Sequence, residues 1–198
     1  MKIILLMVAA FVLVAGFASA LTVQSDTSNE YFDGTNWNAA VAAYVHPLYT
    51  QYISIPATWI WKSYWYNFTG PSKVEFRKVF STDRECDSYK ATINITADNQ
   101  YVFSVNGNLV GSDGDWFHPE AYDISQYIQP GENIFSFNVT NVALDYPGTS
   151  NWGDQNSNPA ALIYSANIEC SNQVPEFGTI AALIALAGAV AAFIIIRK

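Results

Sequence analysis

Apolar residues recur at every second position through much of this chain, and that period decides what the chain can fold into. In YKATINIT, residues 89–96, Ile93 and Ile95 flank Asn94; in NIFSFNVT, residues 133–140, Phe135, Phe137 and Val139 alternate with Ser136 and Asn138. Successive side chains of a strand point to opposite faces, so these segments bury one face and leave Asn94 and Asn138 on the other. From Ala57 onward no stretch carries a convincing helical period. KVEFRKVF, YKATINIT, YVFSV, NIFSFNV and LIYSANIEC are the clearest strands, rich in β-branched and aromatic residues. Between them, Asn106-Gly107 in VNGN fits a hairpin turn, and Pro130 and Gly131 in QPGEN fit another. YDISQYI reads as one helical turn capped by Asp123. The fold class is all-β.

Two apolar segments bracket this body. Residues 1–20, MKIILLMVAAFVLVAGFASA, combine a lysine, a long apolar run and small residues at Ala18 and Ala20, the pattern of a secretory signal peptide. Near the other end, residues 179–196 are 18 uncharged positions followed by Arg197 and Lys198. At about 1.5 Å per residue they make roughly 27 Å of helix, just enough to span a bilayer core. Positive charge prefers the cytoplasmic side, so residues 21–174 are expected outside the cell as one exported domain, held to the membrane by a C-terminal transmembrane helix.

The chain has 17 acidic and 9 basic residues; without Lys2, Glu176, Arg197 and Lys198, the exported part has 16 and 6. That balance argues against a nucleic-acid partner. The six basic residues, Lys62, Lys73, Arg77, Lys78, Arg84 and Lys90, fall in one stretch, while residues 91–174 carry nine acidic residues and no basic one. Cys86 and Cys170 are the only cysteines, and in an exported chain they are expected to join. Sequons at Asn67, Asn94 and Asn138 are candidate glycosylation sites.

Two resemblances add to this. ITADNQYVFSVNG followed by YDISQYIQPGENIFSFNVTN resembles the galactose-binding-like jelly roll that accompanies many glycosidases, over about residues 73–170. That implies two sheets packed face to face with loops clustered at the ends, and a module that binds sugar, binds another partner or braces a neighbouring domain. Pro175-Glu176-Phe177-Gly178, placed directly before the apolar helix and the basic end, resembles the PEF-CTERM class of archaeal sorting signals. That implies an archaeosortase-like transpeptidase as a partner, removal of the tail and attachment of a lipid.

Several residues are candidates for chemistry. ATWIWKSYWYNF, residues 57–68, holds six aromatic residues; Trp59, Trp61 and Trp65 have spacings that alternate in a strand, so core packing is their expected place and a sugar-stacking platform the alternative. Trp116 in GSDGDWFHPE and Trp152 in GTSNWGDQNSNP stand among Asp, Asn and Gly, where each either anchors its loop or stacks on a sugar. Asp113, Asp115, Asp145 and Asp154 are either solvated loop carboxylates or oxygen ligands of a calcium ion, the one cofactor these residues bring into question. No carboxylate pair is identifiable as the acid and nucleophile of a glycosidase, so no enzyme is expected. The expectation is therefore a membrane-anchored cell-surface protein that binds carbohydrate or adheres, with ligand contacts at Trp116, Trp152, Asp113, Asp115 and Asp154. The alternative is a structural envelope glycoprotein that packs against its neighbours.

Overall fold

The period-two segments form strands as expected, and their alternation becomes the two faces of each sheet. The computed structural model describes residues 20–67, 72–84, 86–142, 145–146, 149–150, 154 and 158–171. Residues 1–19 of the signal peptide, the Pro175–Gly178 motif, the apolar segment 179–196 and Trp152 lie outside the described residues. Among the described residues, no helix is long and apolar enough to cross a membrane.

In chain order the elements are β1 (Ala20–Gln24), β2 (Glu30–Phe32), β3 (Trp37–Ala39), β4 (Val41–Ala42), α1 (Pro47–Tyr52), β5 (Ile60–Trp61), β6 (Ser72–Thr82), β7 (Ser88–Asp98), β8 (Gln100–Val105), β9 (Asn108–Asp113), β10 (Glu120–Asp123), a 3-10 turn (Ser125–Tyr127), β11 (Gly131–Asn141), β12 (Asp145–Tyr146), β13 (Thr149–Ser150) and β14 (Ala161–Ser171). One sheet runs β10-β7-β14-β5-β4, with β1 also on β14; the second runs β3-β2-β6-β11-β8-β9. The pairings are antiparallel, and their registers hold β11 between β6 and β8 and β7 between β10 and β14.

The sheets meet through aromatic side chains. Tyr164 of β14 stacks on Phe137 of β11 at 4.5 Å between ring centroids, and Phe103 of β8 stacks on Phe137 at 4.9 Å. Ile93, Ile95, Phe76, Phe135 and Val139 complete this layer and are fully buried. Burial on β11 alternates along its whole length, which keeps Asn138 on the outer face of the second sheet, while Asn94 is exposed on β7. The architecture is an all-β sandwich, stabilised chiefly by burial of these apolar faces.

The turns have the backbone their residues allow. Asn106 and Gly107 both adopt positive φ between β8 and β9, and Gly131 does so at the start of β11. The YDISQYI turn is 3-10 and begins at Ser125, with Asp123 Oδ1 accepting the Ser125 N–H at 2.9 Å. Cys86 and Cys170 are bonded, with Cα atoms 5.6 Å apart. The bond closes 84 residues of chain and ties the approach to β7 to the end of β14, worth about 4 kcal/mol in the chain-entropy view. The segment before Ala57 contributes β1 to β4 and the six-residue α1, where Pro47 takes the first turn and the His46 ring nitrogen accepts the Leu48 N–H at 3.3 Å.

Candidate functional site

Two adjoining concavities that share Asn138 make a groove across the outer face of the second sheet. Its broader part, about 820 Å³, is lined by Tyr31, Phe32, Asp33, Gly34, Lys62, Ser63, Trp65, Tyr66, Lys73, Val74, Glu75 and Asn138. A second part of about 440 Å³ is lined by β8 and β9 residues, among them Gln100, Val102, Ser112 and Asp113, and again by Asn138. Strand register explains the row: Phe32 pairs with Glu75, Glu75 with Asn138, Asn138 with Val102, and Val102 with Ser112. Five strands at about 4.8 Å spacing make the floor of this row roughly 19 Å across.

Two loops set the aromatic end. The turn after β2 is built by Asp33, whose carboxylate accepts the N–H groups of Thr35 and Asn36 at 2.8 and 2.7 Å and the Asn38 amide at 2.8 Å. Hydrogen bonds from the Asn36 and Thr35 backbone, and then from Asn38, hold this carboxyl below its ordinary range. Gly34 adopts a φ of 99°, a conformation few other residues take. The segment after β5 forms the opposite wall. Tyr44 N–H donates to the Tyr64 carbonyl at 3.1 Å, and the Tyr44 ring meets Trp65 edge-on at 5.2 Å. Lys62 Nζ lies 4.1 Å from the centre of the Tyr66 ring and donates to Ser72 Oγ at 3.2 Å.

The result is a set of exposed rings in a polar frame. Phe32, Trp65 and Tyr66 are 37%, 45% and 36% exposed. Lys62 and Lys73 are offset by Asp33 and Glu75, so these four side chains leave the broader part of the groove without net charge. Chemically, flat apolar faces beside amide, carboxylate and ammonium groups suit a ligand with both apolar ring faces and hydroxyls.

Trp152 lies outside the described residues, and of the other ligand contacts expected from sequence only Asp113 lines the groove. Asp113 lines the narrower end of the groove, and its Oδ2 accepts the Asp115 N–H at 2.7 Å. Asp115 faces its own loop, accepting the Phe117 N–H at 3.0 Å and meeting His118 Nδ1 at 2.8 Å. The His118 contact, and then the Phe117 N–H, holds Asp115 below its ordinary range, and the same carboxylate holds the His118 imidazole above its own. Trp116 packs against the core. Its ring stacks on Phe117 at 3.7 Å and meets Tyr49 edge-on at 5.4 Å. Asp154 forms a backbone bridge with Asn67. Among the described residues, no three His, Cys, Asp or Glu side chains are grouped as a metal ion requires, so Asp113, Asp115 and Asp154 do not come together as a calcium shell.

Of the three alternating tryptophans, Trp59 and Trp61 are buried and Trp65 is not. The signal for this is the break at Lys62-Ser63, two polar residues in succession that end the strand before Trp65. Phe32 gave no comparable signal, because it reaches the groove through the pairing of β2 with β6.

The sequence matches no protein-family model and no curated protein. Among solved structures, a β-glucuronidase from Ruminococcus gnavus is similar at 14% identity over 76% of this chain and 29% of that one, with a TM-score of 0.50. A lectin from Pleurotus ostreatus is similar at 21% identity over 54% of this chain and 27% of that one, with a TM-score of 0.41. The chain spans less than a third of either protein's length. The likeness to the β-glucuronidase concerns the fold alone, and it agrees with the all-β sandwich.

Proposed function

We propose that this is an exported, membrane-anchored binding protein of the galactose-binding-like jelly-roll kind, and that the groove on its second sheet holds carbohydrate without turning it over. The observation that carries the reading is the exposure of Phe32, Trp65 and Tyr66 together in one groove, framed by Lys62, Asp33, Glu75 and Asn138. Isolated exposed apolar residues are ordinary on a protein surface. Three rings in one concavity with both charge signs beside them are the arrangement that recognises the alternating apolar and hydroxylated faces of a sugar. The near balance of lysine and carboxylate favours a neutral saccharide over an anionic one. Export is inferred from residues 1–20, and anchoring from residues 179–198 with the Pro175–Gly178 motif as the substrate of a sorting transpeptidase. The disulfide is in keeping with an oxidising compartment.

The test is a glycan-array screen of the whole protein, detergent-purified from a host that does not glycosylate it, with Trp65→Ala beside it. Binding to a neutral saccharide is expected, weakened by roughly 1 to 3 kcal/mol in the variant, the usual cost of losing a hot-spot aromatic. Ordered self-association of a protein that binds no arrayed glycan would replace this reading with that of a structural envelope component.

A further inference from the structure

We propose that the groove is occupied by the protein's own glycan, attached at Asn138. The three sequons differ in what surrounds them. Asn94 stands exposed on the outer face of the first sheet, in a hollow of about 290 Å³ lined by small polar side chains such as Thr92, Ser165 and Asn167 and by no aromatic ring. Asn67 is exposed beside β5 and forms a bridge with Asp154. Asn138 alone of the three lines the aromatic groove, and it lines both of its parts. It occupies the middle of the row from Phe32 to Ser112, two strands from Phe32, a separation of roughly 10 Å. The first sugars on Asn138 therefore have rings within reach on one side and the Gln100, Ser112 and Asp113 polar groups on the other.

The attachment is a glycosyl transfer from a lipid-phosphate-linked oligosaccharide. Asn138 Nδ2 bonds to the anomeric carbon, the anomeric carbon–oxygen bond to phosphate breaks, the lipid phosphate departs with that electron pair, and one amide proton is released. The amide keeps its other hydrogen. In the folded domain the sequon lies inside an eleven-residue strand whose backbone is paired to β6 and β8. Transfer therefore precedes closure of the second sheet, and the glycan is built into the groove as the domain folds. The consequence is regulatory: the glycosylated form shields Trp65 and excludes an outside saccharide, while the unmodified form offers the groove. This rests on the reading of the groove as a saccharide site.

The experiment uses the whole protein purified from its own cells. Peptide mass spectrometry is expected to find a glycan on Asn138, and N-bromosuccinimide is expected to oxidise Trp65 several-fold faster in Asn138→Gln than in the native protein, with Asn94→Gln unchanged from native. Thr140→Ala removes the same sequon while leaving Asn138 in place, so it must reproduce the gain and separates it from a folding defect of the first variant. An unmodified Asn138 peptide, or equal Trp65 reactivity in all forms, overturns the proposal. Gain of Trp65 reactivity in both variants without binding to any arrayed saccharide upholds the glycan in the groove and discards only the outside ligand.

Discussion

Trp65 and Trp116 stand in similar company in the sequence, each beside another aromatic residue and near polar loop residues, yet the fold uses them differently. Trp116 lies against Phe117 and Tyr49, over the outer face of the first sheet. Tyr49 is fully buried, stacks on Trp59 at 4.1 Å and donates its hydroxyl to Asp98 Oδ2 at 2.8 Å. The faces of these rings are taken up by other rings. Trp65 meets Tyr44 only by an edge and remains 45% exposed beside Phe32 and Tyr66 in the groove. What distinguishes a binding surface from a loop anchor is therefore which face of the ring is already covered. Proximity to carboxylates does not distinguish them, since Asp115 and Asp33 both spend their oxygens on their own loops.

The largest effect expected from this difference is on stability. Tyr49→Ala removes a fully buried ring, its stack on Trp59 and the hydrogen bond it donates to Asp98 Oδ2. A loss of about 3 to 5 kcal/mol is expected, the range for buried aromatic-to-alanine changes. Chemical denaturation measures it. Trp116→Ala should also destabilise, by less because the ring is only half-buried, whereas Trp65→Ala should change stability by no more than about 1 kcal/mol. A Trp65 variant that melts as early as the Tyr49 variant would erase the distinction.

Asp98 supplies the next test. Its carboxyl is buried and, among the described residues, its Oδ1 has no hydrogen-bond partner; burial pushes its pKa up to about 7, with the Tyr49 hydroxyl partly opposing that rise. Burial, and then the neighbouring Asp98, likewise raises the Tyr49 hydroxyl. Unfolded, Asp98 titrates near 3.8. Between these values the folded protein holds a proton that the unfolded chain has released, so this contribution to stability is complete below about 4 and is lost as pH rises through 7. Asp98→Asn cannot titrate, and its amide oxygen can still accept from Tyr49. Its stability relative to the native protein should therefore rise between pH 5 and 8, by no more than about 3 kcal/mol at 1.4 kcal/mol per pKa unit. Parallel stability profiles for the two proteins would show that the carboxyl does not titrate in this window.

Much of the scaffold was legible in the sequence because its signal is local. The alternation around Ile93, Ile95, Phe135 and Phe137 fixes which face of each strand is buried, and Asn106-Gly107 fixes a turn whatever else surrounds it. The Cys86–Cys170 bond followed from count and compartment. The groove was not legible in the same way. Phe32, Glu75 and Asn138 are far apart in the chain and converge only through the order β2-β6-β11, a long-range pairing that no window of sequence contains, and Lys62 joins them from the segment after β5. The run through Trp59, Trp61 and Trp65 misled because the alternation stops at Lys62 and Ser63, after which the chain leaves the sheet. At Trp116 the ring that stacks is its neighbour Phe117, but the immediate sequence could not reveal that Tyr49, from an unrecognised short helix, also packs edge-on against the indole.

The smallest effect tests how far the groove's rings depend on their polar frame. Lys62 holds its ammonium 4.1 Å from the centre of the Tyr66 ring and donates to Ser72, at a site exposed enough for such a cation–π contact to be worth about 0.5 to 1 kcal/mol. Lys62→Met keeps most of the apolar stem and removes the charge. The fold should tolerate this, since Tyr66 lies at the surface and the buried Ser72 loses a single hydrogen bond, and the melting temperature should shift by only a few degrees. Saccharide binding should weaken about two- to five-fold, clearly less than for Trp65→Ala, because the ammonium orients one ring whereas the indole supplies a face. The two can be compared in one titration with whichever neutral glycan the array identifies. If Lys62→Met weakens binding more than Trp65→Ala does, the groove selects its ligand by charge, and the contrast between covered and open aromatic faces does not explain its specificity.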